Sequence, residues 1–309
     1  MQDSSRLSER VGGTAVTAGP SISVLLPCRN GEATIGRQLE ALGRQKTKDA
    51  WELIVSDNGS SDGTLAVVES YRERFEALRV VDSSDSPGIS YACNVAAAQA
   101  EGAAFLLCND DDEVAPGWLD AMTRALGEHD LVACKLDHKT LNEAWVLDVR
   151  GRPQEDGLPR WSFGTHLPFA FGCSLGIRRE LHEEVGGFDE RMKPAADDVD
   201  YCWRAQYAGA EIRFVPDAVM HYRGRAALSS LYRQARNYGI GDVLLYKKHR
   251  PLGLPELPHR VRNGMRGWLG VGRRAVDVSS KAGRGLFLWR LGRQVGLLEG
   301  SARNRVLLL

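Results

Sequence analysis

The stretch AAFLLCNDDDE, residues 103–113, opens as an apolar run at 103–107 and ends on Asn109 and four consecutive acids. A short apolar run of this kind fits a strand buried on both faces. Carboxylates placed directly behind it repel one another unless a cation is present. Mg²⁺ or Mn²⁺ suits such a place, because these ions take one or two carboxylates and fill their remaining positions with phosphate oxygens and water. The other reading is a solvated acidic turn ahead of a helix near Pro116, where acids favour the helix dipole.

The same strand-then-polar pattern repeats on the N-terminal side. Residues 22–26 read as a buried strand closed by Pro27, 51–55 as a second, and 78–81 as a third. Helical spacing fills 32–44 (Ile35, Leu39, Leu42), 64–75 and the Ala-rich 89–100. Strands alternating with helices of about ten residues predict an α/β fold: a mostly parallel, Rossmann-like sheet flanked by helices. Ligands of such sheets bind past the carboxyl ends of the strands. Arg29-Asn30, Asp57-Asn58 and 109–112 all fall there, and three clusters converging on one crevice outweigh any one alone.

Past 113 the pattern is more mixed. A helix is expected at 116–126, strands at 131–135 and 169–177, a helix at 197–208, and two short strands at 211–215 and 218–222. The irregular stretch 137–168 contains Trp145, Trp161 and Phe163 and has the length of a lid or binding loop. Beyond Arg225, helix pieces broken by Gly239-Ile240-Gly241, Pro251, Pro255 and Pro258 form a C-terminal extension. The organisation expected is a flexible leader at 1–20, a catalytic domain at 21–225 and a basic helical extension at 226–309. No internal repeat is present.

Composition bounds the function. The 309 residues carry 40 basic and 40 acidic side chains, yet 226–309 holds 16 Lys/Arg against four acids, a net +12 that the first 225 residues balance. At 43% apolar and 26% charged residues the chain reads as globular and not disordered. No apolar run approaches the ~18–20 residues of a membrane span, and 1–20 lacks the apolar core of a signal peptide. Six scattered cysteines without a CxxC pair exclude a zinc ribbon or a thioredoxin-like motif and suit reduced, buried thiols. A cytoplasmic location follows as the expectation.

Two further groups carry chemistry. In Asp197-Asp198-Val199-Asp200, positions 197 and 200 share one face of a helix start; these acids either serve the helix dipole or supply a general base. His221, followed by Tyr222-Arg223-Gly224-Arg225, is either a structural histidine or part of a site for metal and diphosphate, since guanidinium groups match phosphate bidentately.

In this order, the groups resemble the family 2 glycosyltransferases, inverting enzymes of the GT-A fold that use nucleotide-sugar donors. The resemblance covers about 21–225. It rests on ISVLLPCRN (22–30), IVSDNGSSDGT (54–64), GISYACNVAAAQAEG (88–102), LLCNDDDEVAPGWL (106–119) and VGGFDERMKPAADDVDYCWRAQYAG (185–209). The resemblance implies that Asp57 hydrogen-bonds the nucleotide base in a pocket shaped by Pro27, Asn30 and Asn58. Asp111 becomes the Mn²⁺ or Mg²⁺ ligand, helped by His221. Asn109 takes the place of the motif's first Asp and faces ribose or phosphate, as do Asn94, Asp110, Arg223 and Arg225. Asp198 becomes the general base, and Asp197 replaces the usual Glu beside it. Trp145, Trp161, Trp203 and Asp197 are the acceptor-side candidates. Cys93 stands where the family commonly has Arg, which removes one donor contact.

The implied partners are a nucleotide-sugar donor and a glycan, lipid-linked or natural-product acceptor, as in polysaccharide biosynthesis. Arg with Trp268, Leu269, Phe287, Leu288 and Trp289 in the tail suits an anionic membrane surface on the inner, cytoplasmic side. A solvated subdomain or a homo-oligomer contact is the alternative for the tail. Nucleic acid is not expected, since no recognition motif accompanies the charge. Two other functions use related scaffolds. A sugar-nucleotide pyrophosphorylase would carry a Gly-rich basic loop where this chain has Pro27-Cys28-Arg29-Asn30-Gly31-Glu32. A silent carbohydrate-binding protein would have no need of both Asp111 and Asp198.

Overall fold

A computed structural model describes residues 21–308 apart from 162, 164, 165 and 255–259; the side chains of 260 and 261 are also left aside. The expected leader at 1–20, Pro255 and Pro258 lie outside the described residues.

The first half alternates as the apolar pattern requires: β1 (Ile22–Cys28), α1 (Ile35–Gly43), β2 (Trp51–Asp57), α2 (Thr64–Ser70), β3 (Leu78–Asp82), α3 (Ile89–Gln99) and β4 (Ala104–Leu107). The second half contains β5 (Glu113–Val114), α4 (Trp118–Leu126), β6 (Leu131–Asp137), α5 (Ala144–Arg150), β7 (Leu175–Arg178), α6 (Arg179–Glu184), α7 (Asp197–Tyr207) and β8 (Ile212–His221). Three helices follow: α8 (Leu228–His249), α9 (Arg260–Arg274) and α10 (Lys281–Asn304). The eight strands form one sheet in the order β3-β2-β1-β4-β7-β6-β8-β5. β3, β2, β1 and β4 are parallel, β7 runs antiparallel to both its neighbours, and β6 with β8 is parallel again.

Both faces of the parallel part are covered, which explains why its strands read as continuous apolar runs. Val24, Leu26, Leu53, Val55 and Leu106 point into one cluster with Ile35, Leu39, Trp118 and Met122. Leu25, Ile54, Phe105 and Leu107 point into the opposite one with Ala96, Leu181, Tyr201 and Ala205. The strand alternation of period two thus feeds two helix layers. All six cysteines are buried and unpaired.

Four elements differ from expectation. Pro27 lies inside β1 and does not close it, because pairing with β4 ends at Leu25 and the missing N–H leaves no ladder bond open on that side. Residues 137–168 are not wholly irregular; they contain α5. The expected strand at 169–177 shrinks to β7, preceded by a tight turn at Gly172–Ser174. The two strands expected at 211–215 and 218–222 are one strand, β8, whose register against β6 shifts between Cys134 and Lys135 and so absorbs Pro216.

Gly239 and Gly241 do not interrupt α8 either; they let its backbone approach other chain segments. A Cβ on Gly239 would lie 2.5 Å from the Arg293 carbonyl oxygen, and one on Gly241 2.7 Å from that of Ala195. From the other side, a Cβ on Gly292 would lie 2.5 Å from the Tyr232 carbonyl, and one on Gly296 would collide with that of Arg236. The α8–α10 pair is therefore a glycine-lined crossing. A third apolar cluster joins Val199 and Trp203 of α7 to Val243, Leu245 and Tyr246 of α8 and Leu297 of α10.

Gly296→Val should cost at least about 1–3 kcal/mol by overpacking, seen as a lower Tm. Gly272→Ala, with nothing within 4 Å of the added Cβ, should be neutral or slightly stabilising. Equal Tm values for the two variants would refute the close crossing.

Candidate active site

The carboxyl ends of β1, β2 and β4 are neighbours in the sheet, and the loops that follow them interlock there. Asn30 adopts a positive φ of 54°; its backbone N–H donates to Ser60 Oγ (3.0 Å) and its Oδ1 accepts from the Ser61 N–H (2.8 Å). The Arg29 N–H reaches Asp110 Oδ2 at 3.4 Å. Asp57, at the end of β2, accepts from the Ser60 N–H at 3.2 Å. Asn58 donates to the carbonyls of Ser83 and Ser86 and accepts from the Gly88 N–H at 2.8 Å, tying β2 to the start of α3. Pro27, Asn30, Asp57 and Asn58 thus share one rim.

The acid loop between β4 and β5 is held by a residue the sequence reading overlooked. Gln38 of α1 is fully buried; its Nε2 donates to the Asn109 carbonyl (3.1 Å) and its Oε1 accepts from the Val114 N–H (2.9 Å). A Gln on the apolar face of a helix was the available signal. The three aspartates between these anchors differ in environment. Burial, then the charge of Asp111, pushes Asp110 up to about 6. The same two causes push Asp112 up to about 8. Asp112 accepts from the Arg223 N–H at 2.7 Å, while its Oδ2 is buried with no hydrogen-bond partner. Asp111 faces the Arg225 guanidinium at 2.9 Å.

β5 pairs Glu113 with His221 of β8, which sets the histidine beside the acid loop. His221 Nδ1 donates to Asp137 Oδ2 at 2.8 Å, leaving Nε2 as the free lone pair in the neutral ring. Asp137, at the end of β6, was also missed. Burial opposes its ionisation, but hydrogen bonds from Thr140, the Lys139 N–H and His221 prevail and hold it well below the usual carboxylate range. Among the described residues no three His, Cys, Asp or Glu side chains converge as a ready-made cation cage. What is present is one carboxylate, Asp111, and one imidazole oriented by a carboxylate behind it. That donor set fits a hard divalent cation completed by phosphate oxygens.

The second acid group enters through α7. Ala196, at a positive φ of 70°, turns the chain so that Asp197, Asp198 and Asp200 occupy the first helical turn. Asp197 accepts from Ser90 Oγ at 3.2 Å. Asp198 accepts only backbone N–H groups, those of Val199 (2.8 Å) and Gly172 (3.4 Å). Burial, then the charge of Asp197, pushes Asp198 up to about 7. The Gly172–Ser174 turn meets both acid groups: its Gly172 N–H donates to Asp198, and the Cys173 thiol next to it lies close enough to Asp112 for that carboxylate to help raise the thiol's proton affinity, after burial. Asp198 also borders a hollow of about 470 Å³ lined by Trp161, Phe171, Tyr238 and Trp289.

Several expected residues are employed otherwise. Asn94 spends its amide on the Phe188 backbone and Glu190, bracing the loop ahead of α7. Arg223 donates to the Asp111 carbonyl (2.8 Å) and to Glu113 (3.0 Å), so it stiffens the acid loop and does not project into the crevice. Trp145, Trp161 and Trp203 are core residues and not open sugar platforms. Trp145 packs with Val146, Val149 and Leu231. Trp203 donates to the Leu167 carbonyl at 3.0 Å. Trp161 donates to Asp242 at 2.8 Å and only borders the hollow. Cys93, in the place of the family's Arg, is buried in α3.

A family model described as glycosyl transferase family 2 matches residues 23–186, and a second, glycosyl transferase family group 2, matches 144–291. The chain is 26% identical over 245 residues to the probable glycosyltransferase YdaM of Bacillus subtilis, covering 74% of this chain and 57% of that protein. It is 29% identical over 219 residues to the O-antigen biosynthesis protein RfbC of Myxococcus xanthus, covering 64% of this chain and 17% of that one. The chain thus spans little more than half, or much less, of these relatives. Among solved structures, the mannosyltransferase PcManGT from Pyrobaculum calidifontis, in complex with GDP-Man and Mn²⁺, superimposes with a TM-score of 0.64 at 18% identity over 92% of this chain and 88% of that one. That likeness is one of fold, and the fold is GT-A.

If Asp137 orients His221, Asp137→Asn should weaken Mn²⁺ binding in the presence of a nucleoside diphosphate by about 10–100-fold. Calorimetric titration with Mn²⁺ checks this, and an unchanged affinity would remove His221 from the donor set.

Proposed function

The chain belongs to glycosyl transferase family 2, and from that premise we propose that it transfers a sugar from a nucleoside-diphosphate donor to an acceptor hydroxyl with inversion, using Asp198 as general base. The observation that carries this reading is the meeting of the two acid groups at the Gly172–Ser174 turn. One group lies beside Arg225 and His221, and in the other Asp198 accepts only from backbone N–H groups.

In this reading Asp57 binds the nucleotide base, in a rim made by Pro27, Asn30 and Asn58. Asn109 and Asp110 face the ribose and phosphates. Arg225 moves from Asp111 to the diphosphate when the donor arrives, since a guanidinium matches phosphate oxygens as well as carboxylate ones. Asp111 and His221 would hold Mn²⁺ or Mg²⁺, which when bound supplies Lewis-acid stabilisation of the leaving diphosphate. Asp198 takes the acceptor's hydroxyl proton as that oxygen bonds to the anomeric carbon. The opposite bond, from that carbon to the phosphate oxygen, breaks and leaves its electron pair on the nucleoside diphosphate. Asp197, tied to Ser90, keeps a negative charge next to the base and so raises the base's proton affinity.

The likeness to an O-antigen biosynthesis protein supports a polysaccharide or lipid-linked acceptor, and α9 supports attachment to an anionic membrane surface. Met265, Trp268 and Leu269 lie on one face of α9 and are exposed, flanked by exposed Arg262, Arg266 and Arg273, with no acid in the helix. That combination suits the interface of an anionic bilayer. Among the described residues no helix is long and apolar enough to cross a membrane.

Asp198→Asn should lower turnover about 10²–10⁴-fold while donor affinity by titration calorimetry stays within a factor of about two; substantial residual turnover would sink the assignment. In the unaltered chain, activity should rise with pH through about 7, as Asp198 loses its proton, and then level off. Asp197→Asn removes a charge that opposes this ionisation, so the rising limb should move to lower pH; a shift upward would contradict the account. The chain should also sediment with phosphatidylglycerol vesicles and not with phosphatidylcholine ones. Met265→Glu with Leu269→Glu should abolish that, and equal sedimentation with both lipids would refute the membrane surface.

A further inference from the structure

The hollow beside Asp198 is lined by charges of both signs. Asp197 and Asp198 stand on its wall. So does Arg150, the last residue of α5, whose guanidinium lies 3.8 Å from the ring centroid of Trp289 and 5.4 Å from that of Tyr238. Much of the remaining wall is apolar and includes Trp161, Phe169 and Phe171.

The other two arginines of the hollow are engaged through their guanidinium groups. Arg293 pairs with the buried Asp242 at 2.5 Å, and Arg160 donates to the His166 carbonyl at 2.5 Å. Arg150 has neither a carboxylate nor a carbonyl partner among the described residues; two aromatic faces hold it. Aromatic faces fix a cation's position without neutralising its charge. Its five N–H donors therefore remain available in a mostly apolar pocket, where a charge-assisted bond is strong. A volume near 470 Å³ falls in the range of small-molecule sites.

We propose that this hollow is the acceptor subsite, and that it takes an acceptor whose apolar body carries an oxyanion, a phosphate or a carboxylate, held by Arg150. Calling the ligand an acceptor rests on the transferase reading above; the binding itself does not. The charge distribution also sets the orientation. An oxyanion is repelled by Asp197 and Asp198 and drawn to Arg150, which turns the uncharged, hydroxyl-bearing part of the acceptor toward the base. Tyr238 and Trp289 come from α8 and α10, so the C-terminal extension supplies the clamp on which acceptor choice depends.

The test is calorimetric titration of the full chain with phenyl phosphate, benzoate and the neutral phenyl β-glucoside. At least one anion should bind ten or more times more tightly than the glucoside, and the order of phenyl phosphate and benzoate identifies the oxyanion. Arg150→Gln should lose about tenfold or more of that preference, and Arg150→Lys less. Should Arg150→Gln fail to fold, judged by its Tm, the ranking of the three ligands on the unaltered chain still decides. Equal affinity for charged and neutral ligands, or an Arg150→Gln chain that still prefers the anion, overturns the subsite. Donor hydrolysis, measured separately, isolates the premise. A chain that hydrolyses a nucleotide-sugar but does not distinguish the ligands overturns the subsite alone. One that binds the anion through Arg150 yet turns over no donor keeps an anion site and overturns the transferase reading.

Discussion

Asp200 has no exposed surface, and its carboxylate accepts from Arg204 Nε (2.8 Å), Lys248 Nζ (2.5 Å) and His249 Nε2 (2.8 Å). Burial alone would favour its protonated form, but these partners outweigh that and hold it below the usual carboxylate range. Removing the carboxylate would leave the buried His249 Nε2 without its partner and Arg204 without its carboxylate, which is expensive. This interaction locks α7 against α8 and fixes the rotation of α7 about its own axis. The fate of the other two acids in the same helical turn follows from it. With one face committed to α8, Asp198 is turned to the crevice, where it meets only backbone N–H groups. Two carboxylates two residues apart thus acquire opposite proton affinities, one from three donors and one from burial beside Asp197. A pair whose environments push their proton affinities apart is the arrangement expected where one acid is structural and the other takes part in proton transfer.

The parallel half of the sheet was legible because each of its signals is local. Val24 and Leu25 pack on opposite faces whatever follows in the chain, and strand-end polar clusters such as Asp57-Asn58 need only the sheet geometry to converge. The resemblance added roles for Asp111 and Asp198 that local reading could not assign. What escaped depends on partners far away in sequence. Trp145 and Trp161, in a stretch of irregular pattern, read as binding aromatics, yet Leu231 and Tyr246 of α8 help bury them. Helix α5 is seven residues long, and its apolar side, Trp145, Val146 and Val149, becomes intelligible only against α8 and α10. Gly239 and Gly241 read as helix breakers because the energy that offsets their poor helix propensity comes from close packing of another chain segment. Asp137 and Gln38 were missed for the same reason: each acts on a group more than 70 residues away.

The distribution of charge, zero in total with a +12 segment at the C-terminal end, takes on a different meaning in three dimensions. A part of that positive charge is consumed inside the fold. Lys248 meets Asp189 and Asp200, Arg293 meets Asp242, Arg236 meets Glu299 and Lys281 meets Glu143. The positive charge is not spread evenly, since α9 carries five arginines and no acid, and of these Arg274 meets Asp277 just beyond the helix. Meanwhile the acid-rich strand ends are balanced from just ahead of the extension, where Arg225 meets Asp111. In this crevice the balancing cations return late in the chain: Arg225 follows β8, and Lys248 lies near the end of α8. The extension therefore braces the crevice. Its ion pairs hold α7 in place, and its aromatic residues wall the hollow beside Asp198. Losing α8 and α10 would leave Asp200 with Arg204 as its remaining side-chain donor and would open that hollow to water.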